Sequence, residues 1–315
     1  MTIDMKQIKF RTKMPEIPAA LHAVRVAAPP LEERREGISR LAGRLGLGKL
    51  REMETENSRV WAGRDGDVEF FPASGAVWSR NLSASEAHPN ELREWPDLAE
   101  ESDDNGDTVF TLGKKSSRAV TGYAHEVLRE AGFDLAHVAT ERAELIQVAQ
   151  LSEKGEVLSR GAGDATLKLN YALDGMPVIG PGAKTEIDLE PDPDNDAGVR
   201  TVGVFHVWRR PLERRKVEVG SAEAALAAGL LKDPDLTLAV KQGGRVTVEE
   251  LQLGLMALPA PARQAYLFPA LAVAGRVDLP KGKLEYYNFG RYCHVATPKA
   301  YAAAEIYADY VARPN

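Results

Sequence analysis

Two runs of this chain place groups capable of acid–base or ligand chemistry at strand spacing. In the first, Val204, His206, Trp208 and Arg210 occupy alternating positions. On a β-strand, alternating positions share one face. An imidazole, an indole and a guanidinium in one row, floored by Val202 and Val204, can line a pocket for a planar or anionic ligand. The commoner reason for such a row is a buried face with His206 hydrogen-bonded inside it. The second run, Glu285 to His294, is the densest aromatic and polar stretch of the sequence. Tyr286, Arg291 and Tyr292 can bind a ligand there, and Glu285 can serve as a base if buried. Its plainer reading is a sheet packed beneath a C-terminal helix. If the two runs converge, His206, Glu285 and Tyr287 are the acid–base candidates.

Other chemical signatures are weaker. Gly43 to Leu50 nearly spells a phosphate-binding loop, but Leu50 stands where a hydroxyl should meet magnesium. Its glycines close a helix, so a C-cap is expected. Asp192, Asp194 and Asp196 have the alternation of a calcium loop. However, Ala197 and Gly203 fill the positions where such a loop needs Gly and Glu. An acidic hairpin tip is expected, with weak calcium binding as the sharper alternative. His22, His88, His125, His137, His206 and His294 form neither HxH nor HxxxH, and no metal site is expected. No G-x-S-x-G elbow is present. Cys293 and His294 are adjacent, so on a strand they face opposite ways, and Cys293 reads as a small core residue. Arg209, Arg210, Arg214, Arg215 and Lys216 form the one strong basic group. Such a group can grip an acidic partner segment or the chain's own 97–107 stretch. More commonly it keeps a sheet edge solvated.

Composition sets the outer limits. The 315 residues are 44% hydrophobic, enough for two or three cored domains. A net charge of −6 argues against a general pull toward nucleic acid or anionic membrane. A single cysteine excludes an intrachain disulfide. No run reaches the roughly 18 apolar residues of a membrane span, and no cofactor is implied. The N-terminus lacks the apolar stretch of a signal peptide. As written it points to the cytoplasm; a signal upstream of Met1 would place the protein outside.

The elements that must position these residues form a repeated pattern of helix followed by β-meander, beginning near residues 31, 116 and 221. Residues 1–19 read as an extended arm, 20–80 as a first α+β module, and 81–114 as an acidic linker. A second module spans 115–212. A third spans 213–315 and ends in a helix over 299–311. In the second, Asp174-Gly175 and the segment Pro191 to Gly198 are turn signals between β-rich runs.

The segment from Tyr171 to Gly180, with its Asp-Gly-Met-Pro-Val-Ile-Gly core, resembles PepSY and protease-propeptide modules. Glu69 to Trp78 and Ala257 to Ala270 are similar to other parts of such proteins. The resemblance implies tandem cystatin-like α+β modules, each a curved antiparallel sheet packed by a helix. It also implies a non-catalytic binding or regulatory role toward a protein, peptide or small ligand. Two other classes remain open: a small-molecule biosynthetic enzyme of cyclase or isomerase type, and an envelope-associated structural protein. Oligomeric state is not fixed by the sequence.

Overall fold

The computed structural model describes residues 3–85, 92–102, 108–280 and 285–302. It is an α+β fold dominated by strands. Its strands begin with β1 (Ile8–Phe10) and β2 (Leu21–Ala27), before helix α1 (Leu31–Arg44). A meander follows: β3 (Arg51–Glu54), β4 (Arg59–Ala62), β5 (Gly66–Phe71) and β6 (Ala76–Asn81). A short helix α2 (Leu82–Ser85) and a ribbon of β7 (Leu98–Ser102) and β8 (Thr108–Leu112) lead to α3 (Lys114–Glu130). Next come β9 (Val138–Leu151), β10 (Val157–Leu173), β11 (Met176–Ile179), β12 (Lys184–Pro191), β13 (Val199–Val207) and β14 (Arg210–Val217). The last elements are α4 (Ala222–Gly229), α5 (Pro234–Lys241), β15 (Arg245–Met256), β16 (Tyr266–Asp278), β17 (Tyr286–His294) and α6 (Pro298–Ala302).

Two compact units result. The central unit comprises residues 28–171 and 183–209; the terminal unit comprises 1–27, 172–182 and 210–315. These boundaries cross the sequence partition. The helix-plus-meander segments beginning at Leu31 and Lys114 fall in one unit, while β2 joins the C-terminal segment in the other.

In the central unit the strands run β9-β10-β12-β13-β6-β5-β4-β3, every neighbouring pair antiparallel. Helices α1 and α3 cover one face. Their apolar side chains recur at helical spacing: Ile38, Leu41 and Ala42 on α1, and Val120, Tyr123, Ala124, Val127 and Leu128 on α3, all buried. They meet Val68, Phe70, Val77, Leu167, Leu169, Ile187, Leu189 and Val204 from the strands. The intervening strand residues, among them Lys168, Glu186 and Trp78, are at least partly exposed, as the two-residue period demands.

Both helices end in the same way. After α1, Gly46 takes φ 65°, Leu47 N–H donates to the Ala42 carbonyl, and Gly46 N–H donates to Gly43. After α3, Gly132 takes φ 69°, Phe133 N–H donates to Leu128, and Gly132 N–H donates to Arg129. This is the Schellman arrangement, which needs glycine where the backbone turns left-handed. The near-phosphate-loop glycines are therefore helix punctuation.

In the terminal unit, β15 and β16 form a long antiparallel centre. Strands β1 and β11 lie parallel to β15 on its far edge, and β17 and β2 flank β16. β14 pairs with β2 and ends the strand path. Leu226, Leu230 and Leu236, from the helical segments 222–241, pack on Val246, Val248, Leu271 and Val273. Ser221 caps α4 by accepting from Ala224 N–H.

Several expectations need correction. The N-terminal arm is more ordered than an extended tail. Asp4 and Gln7 form a capping box around a 3-10 turn, and β1 then pairs with Val246–Val248, burying Ile3 and Ile8. The acidic linker holds the β7–β8 ribbon. Gln147 of β9 fastens it, with its amide both accepting from Phe110 N–H and donating to the Phe110 carbonyl at 2.8 Å each. Within the first module, β5 and β6 are separated where Gly75 takes φ 70° and its N–H closes a turn onto the Phe71 carbonyl. The C-terminal helix is described only over Pro298–Ala302, so its predicted remainder lies outside the described residues, as does residue 103–107 of the acidic stretch.

Two glycines of α1 separate packing from propensity. A Cβ on Gly37 would lie 2.0 Å from the Ala131 carbonyl oxygen, whereas one on Gly43 meets nothing within 4 Å. Gly37→Ala should destabilise the protein by about 1–3 kcal/mol. Gly43→Ala should stabilise it by about 0.5–1 kcal/mol. Urea denaturation of the two variants checks both signs.

Candidate functional site

The first sequence-predicted row lands at the middle of the central sheet. Register aligns Leu169, Thr185, His206, Val77 and Phe70 across β10, β12, β13, β6 and β5. All five are buried, and His206 has no exposed surface. A polar pair thus sits inside an apolar row. Thr185 Oγ1 lies 2.8 Å from His206 Nδ1 and 2.6 Å from the Tyr171 hydroxyl, which makes a three-member hydrogen-bonded chain.

Local sequence explains the packing around it. The cap at Gly132 delivers Phe133 to the next position, and its ring stacks on His206 at 4.0 Å. Arg34 of α1 donates to the Gly132 carbonyl at 2.6 Å, and its guanidinium lies over the same phenyl ring. Trp208 stacks on Tyr171 at 4.3 Å and lies 5.7 Å from the His137 ring. Burial, with Arg34 adding to it, drives the His206 imidazole well below its ordinary range and keeps it neutral. Burial also lifts the Tyr171 phenol to about 12. Nε2 of His206 and Nε1 of Trp208 have no hydrogen-bond partner among the described residues.

Val204, His206 and Trp208 are therefore filled core, not the walls of a pocket. Arg210 leaves the row because β13 ends at Val207 and the next strand begins at Arg210, in the terminal unit. Arg209, between them, is buried, and its guanidinium is lowered to about 10 by that burial. A second buried polar group in the central unit joins Arg93 to Asp164 at 2.9 Å and to Glu190 at 2.8 Å, with Arg200 also paired to Glu190. Burial raises the Asp164 carboxyl in spite of Arg93. These charges tie the chain from Arg93 to three adjacent strands.

The second run lies in the terminal unit on β17, so His206 and the pair Glu285 and Tyr287 belong to different units. Glu285 is exposed. Burial, then Asp235 and Asp233, raises the Tyr287 phenol. Arg291 is engaged by Asp233 and, at 3.1 Å, by Asp235, which fastens β17 to the start of α5. Tyr286 and Tyr292 are exposed on the opposite strand face, and Arg276 lies 5.2 Å over the Tyr286 ring. Cys293 is buried, its thiol raised to about 11 by desolvation, and burial lowers His294 to about 4. In the acidic tip, Asp192 accepts from Asp194 N–H and Asn195 accepts from Ala197 N–H, while Gly198 turns at φ 72°. Among the described residues no three His, Cys, Asp or Glu side chains converge as a metal set.

The open chemistry lies elsewhere in the terminal unit. A cleft of about 230 Å³ is lined by Ala23, Val217 and Phe268, by Tyr266, and by Arg215, Lys216, Glu218, Lys299 and Ala300. The apolar members form a small cluster of their own with Ala296. Arg215 stands opposite Ala23 in the β14–β2 register and shares a strand face with Val217. The bridge between Val219 and Ala296 brings the start of α6, with Lys299, to the cleft. Among the described residues Arg215, Lys216 and Lys299 make no ion pair, whereas Arg25 holds Glu213 at 3.1 Å and Arg214 holds Asp174. The sequence signalled the basic group but not the apolar floor, which is assembled from β2, β14 and β16.

No family model matches the chain, and no curated protein matches it. A solved structure of an uncharacterized protein from Eubacterium rectale ATCC 33656 is similar in fold, with a TM-score of 0.54 and 9% sequence identity. The match covers 92% of this chain and 88% of that one. At that identity the likeness concerns fold alone. Among the described residues no helix is long and apolar enough to cross a membrane.

The central histidine makes two predictions. Its folded-state affinity for protons lies below that of an unfolded imidazole, which titrates near 6.5. The unfolded chain therefore binds the extra proton first, and stability should fall as pH drops below about 6.5. His206→Leu should flatten that limb, leaving the smaller slope due to His294, as measured by melting temperature between roughly pH 7 and pH 4.5. Thr185→Val, which strips the partner from both His206 and Tyr171, should cost about 1–3 kcal/mol in denaturant titrations.

Proposed function

We propose that this protein is a non-catalytic binding module with PepSY-like halves, and that its terminal unit takes up an extended segment of a partner protein along β14. The order of helix then four strands, met at α1 with β3–β6 and again at α3 with β9, β10, β12 and β13, supports the modular part of this reading.

The observation that carries the binding role is the state of β14. It pairs with β2 alone among the described strands, so among the described residues the other edge over residues 212–217 has no strand partner. Such an edge is completed by an incoming strand, with main-chain hydrogen bonds giving affinity and side-chain pockets giving specificity. Charged residues also protect edges from self-pairing. Here that protection is selective: a row of cations repels a second copy of the same edge and admits an acidic strand. The enzyme reading has less support. Its proposed acid–base histidine is buried, neutral and stacked under Phe133. The cleft, at about 230 Å³, is also smaller than the roughly 300 Å³ where small-molecule sites begin.

A displayed library of random peptides of about nine residues, within the usual range of strand lengths, tests this on the immobilised protein. Selection should return extended binders. Of two synthetic copies, N-methylated at the odd or at the even residues, the one whose methyls fall on the N–H groups facing β14 should lose at least about ten-fold in affinity, because each such methyl removes a ladder donor. If no binder is selected, or N-methylation leaves affinity unchanged, strand addition is wrong.

A further inference from the structure

We infer that the cleft beside β14 recognises a carboxylate: one acidic side chain of the incoming segment, glutamate in particular, enters it. This rests on the strand-addition reading above and adds the chemistry that would select the partner.

Three observations converge. First, the cleft has an apolar floor of Ala23, Val217 and Phe268, suited to the methylene stem of a side chain. Second, Arg215 and Lys299 are at the cleft and have no ion-pair partner among the described residues. Their neighbour Arg214 is already committed to Asp174. An arginine with open donors fits a carboxylate bidentately, and a lysine adds a point charge. Third, the volume of about 230 Å³ accommodates one side chain. Glu218 also lines the cleft. It offsets one of the three cations Arg215, Lys216 and Lys299, so the lining stays net positive and suits an anionic side chain.

The alternation of β14 explains how one strand serves two purposes. Arg215 and Val217 share a face, so a strand laid along the edge of β14 presents every second side chain toward the cleft's side. The segment's acidic residue would then sit at one defined register position. That fixes the frame of an otherwise sequence-tolerant main-chain interaction.

Fluorescence anisotropy with three capped Thr/Val peptides of about nine residues, each carrying a central Glu, Gln or Lys, is the test. The glutamate peptide should bind roughly five- to twenty-fold tighter than the glutamine peptide at about 50 mM NaCl, with the gap narrowing at about 500 mM as exposed charges are screened. Arg215→Gln, and separately Lys299→Gln, should shrink the gap without changing affinity for the glutamine peptide. Arg64→Gln, which removes an exposed cation of the central unit, should leave all three affinities alone. If the glutamate and glutamine peptides bind equally, or if Arg64→Gln matters as much as Arg215→Gln, the carboxylate pocket is wrong while strand addition stands. If none of the peptides binds, both fail.

Discussion

The hydrogen bond between Thr185 and His206 sets the terms for the central unit. It lies in a cross-strand row otherwise made of Leu169, Val77 and Phe70, where an unpaired polar group would cost heavily. The neighbouring structure solves that problem at Nδ1 of His206, while Nε2 has no hydrogen-bond partner among the described residues and its ring lies under Phe133. Tyr171 extends the hydrogen-bonded chain, Trp208 covers Tyr171, and Phe133 covers the imidazole. Phe133 reaches that position only because Gly132 turns the end of α3, and Arg34 of α1 holds that turn from the other side. Sheet register, helix capping and helix placement are thus coupled through one buried pair.

That coupling also assigns the work within the molecule. A histidine spent on holding a row together, neutral and enclosed, is poorly placed to exchange protons with a substrate. The groups in the terminal unit are in the opposite condition. Arg215 and Lys299 make no ion pair among the described residues, and they stand beside an apolar floor at an edge strand. A partner can reach solvated charge and edge backbone groups and exchange their water for protein contacts, whereas it cannot reach a closed core. The binding reading follows from this contrast.

The sequence carried the local structure well. The Asp174-Gly175 signal became a hairpin joining Leu173 to Met176, with both turn residues at positive φ. The helix starts near residues 31, 116 and 221 were likewise legible, because each depends on neighbours within a few residues. What the sequence hid was set by long-range pairing. The alternation of Val204, His206, Trp208 and Arg210 looks like one continuous face, but the break after Val207 sends Arg210 into another strand and another unit. The parallel pairing of β1 with β15 joins residues more than 230 positions apart, which no local periodicity encodes. The cleft floor is hidden for the same reason: Ala23, Val217 and Phe268 look unremarkable one by one and acquire meaning only through the β2–β14–β16 order.

Amide hydrogen exchange, resolved by residue and recorded with and without a saturating glutamate-bearing strand peptide, addresses the central claim most directly. Strand addition to β14 requires new protection within Arg210–Val217, with the exchange of Thr185 and His206 unchanged. Protection that appears around Thr185 and His206 instead, or a bound peptide that leaves the β14 amides exchanging as before, would contradict the account.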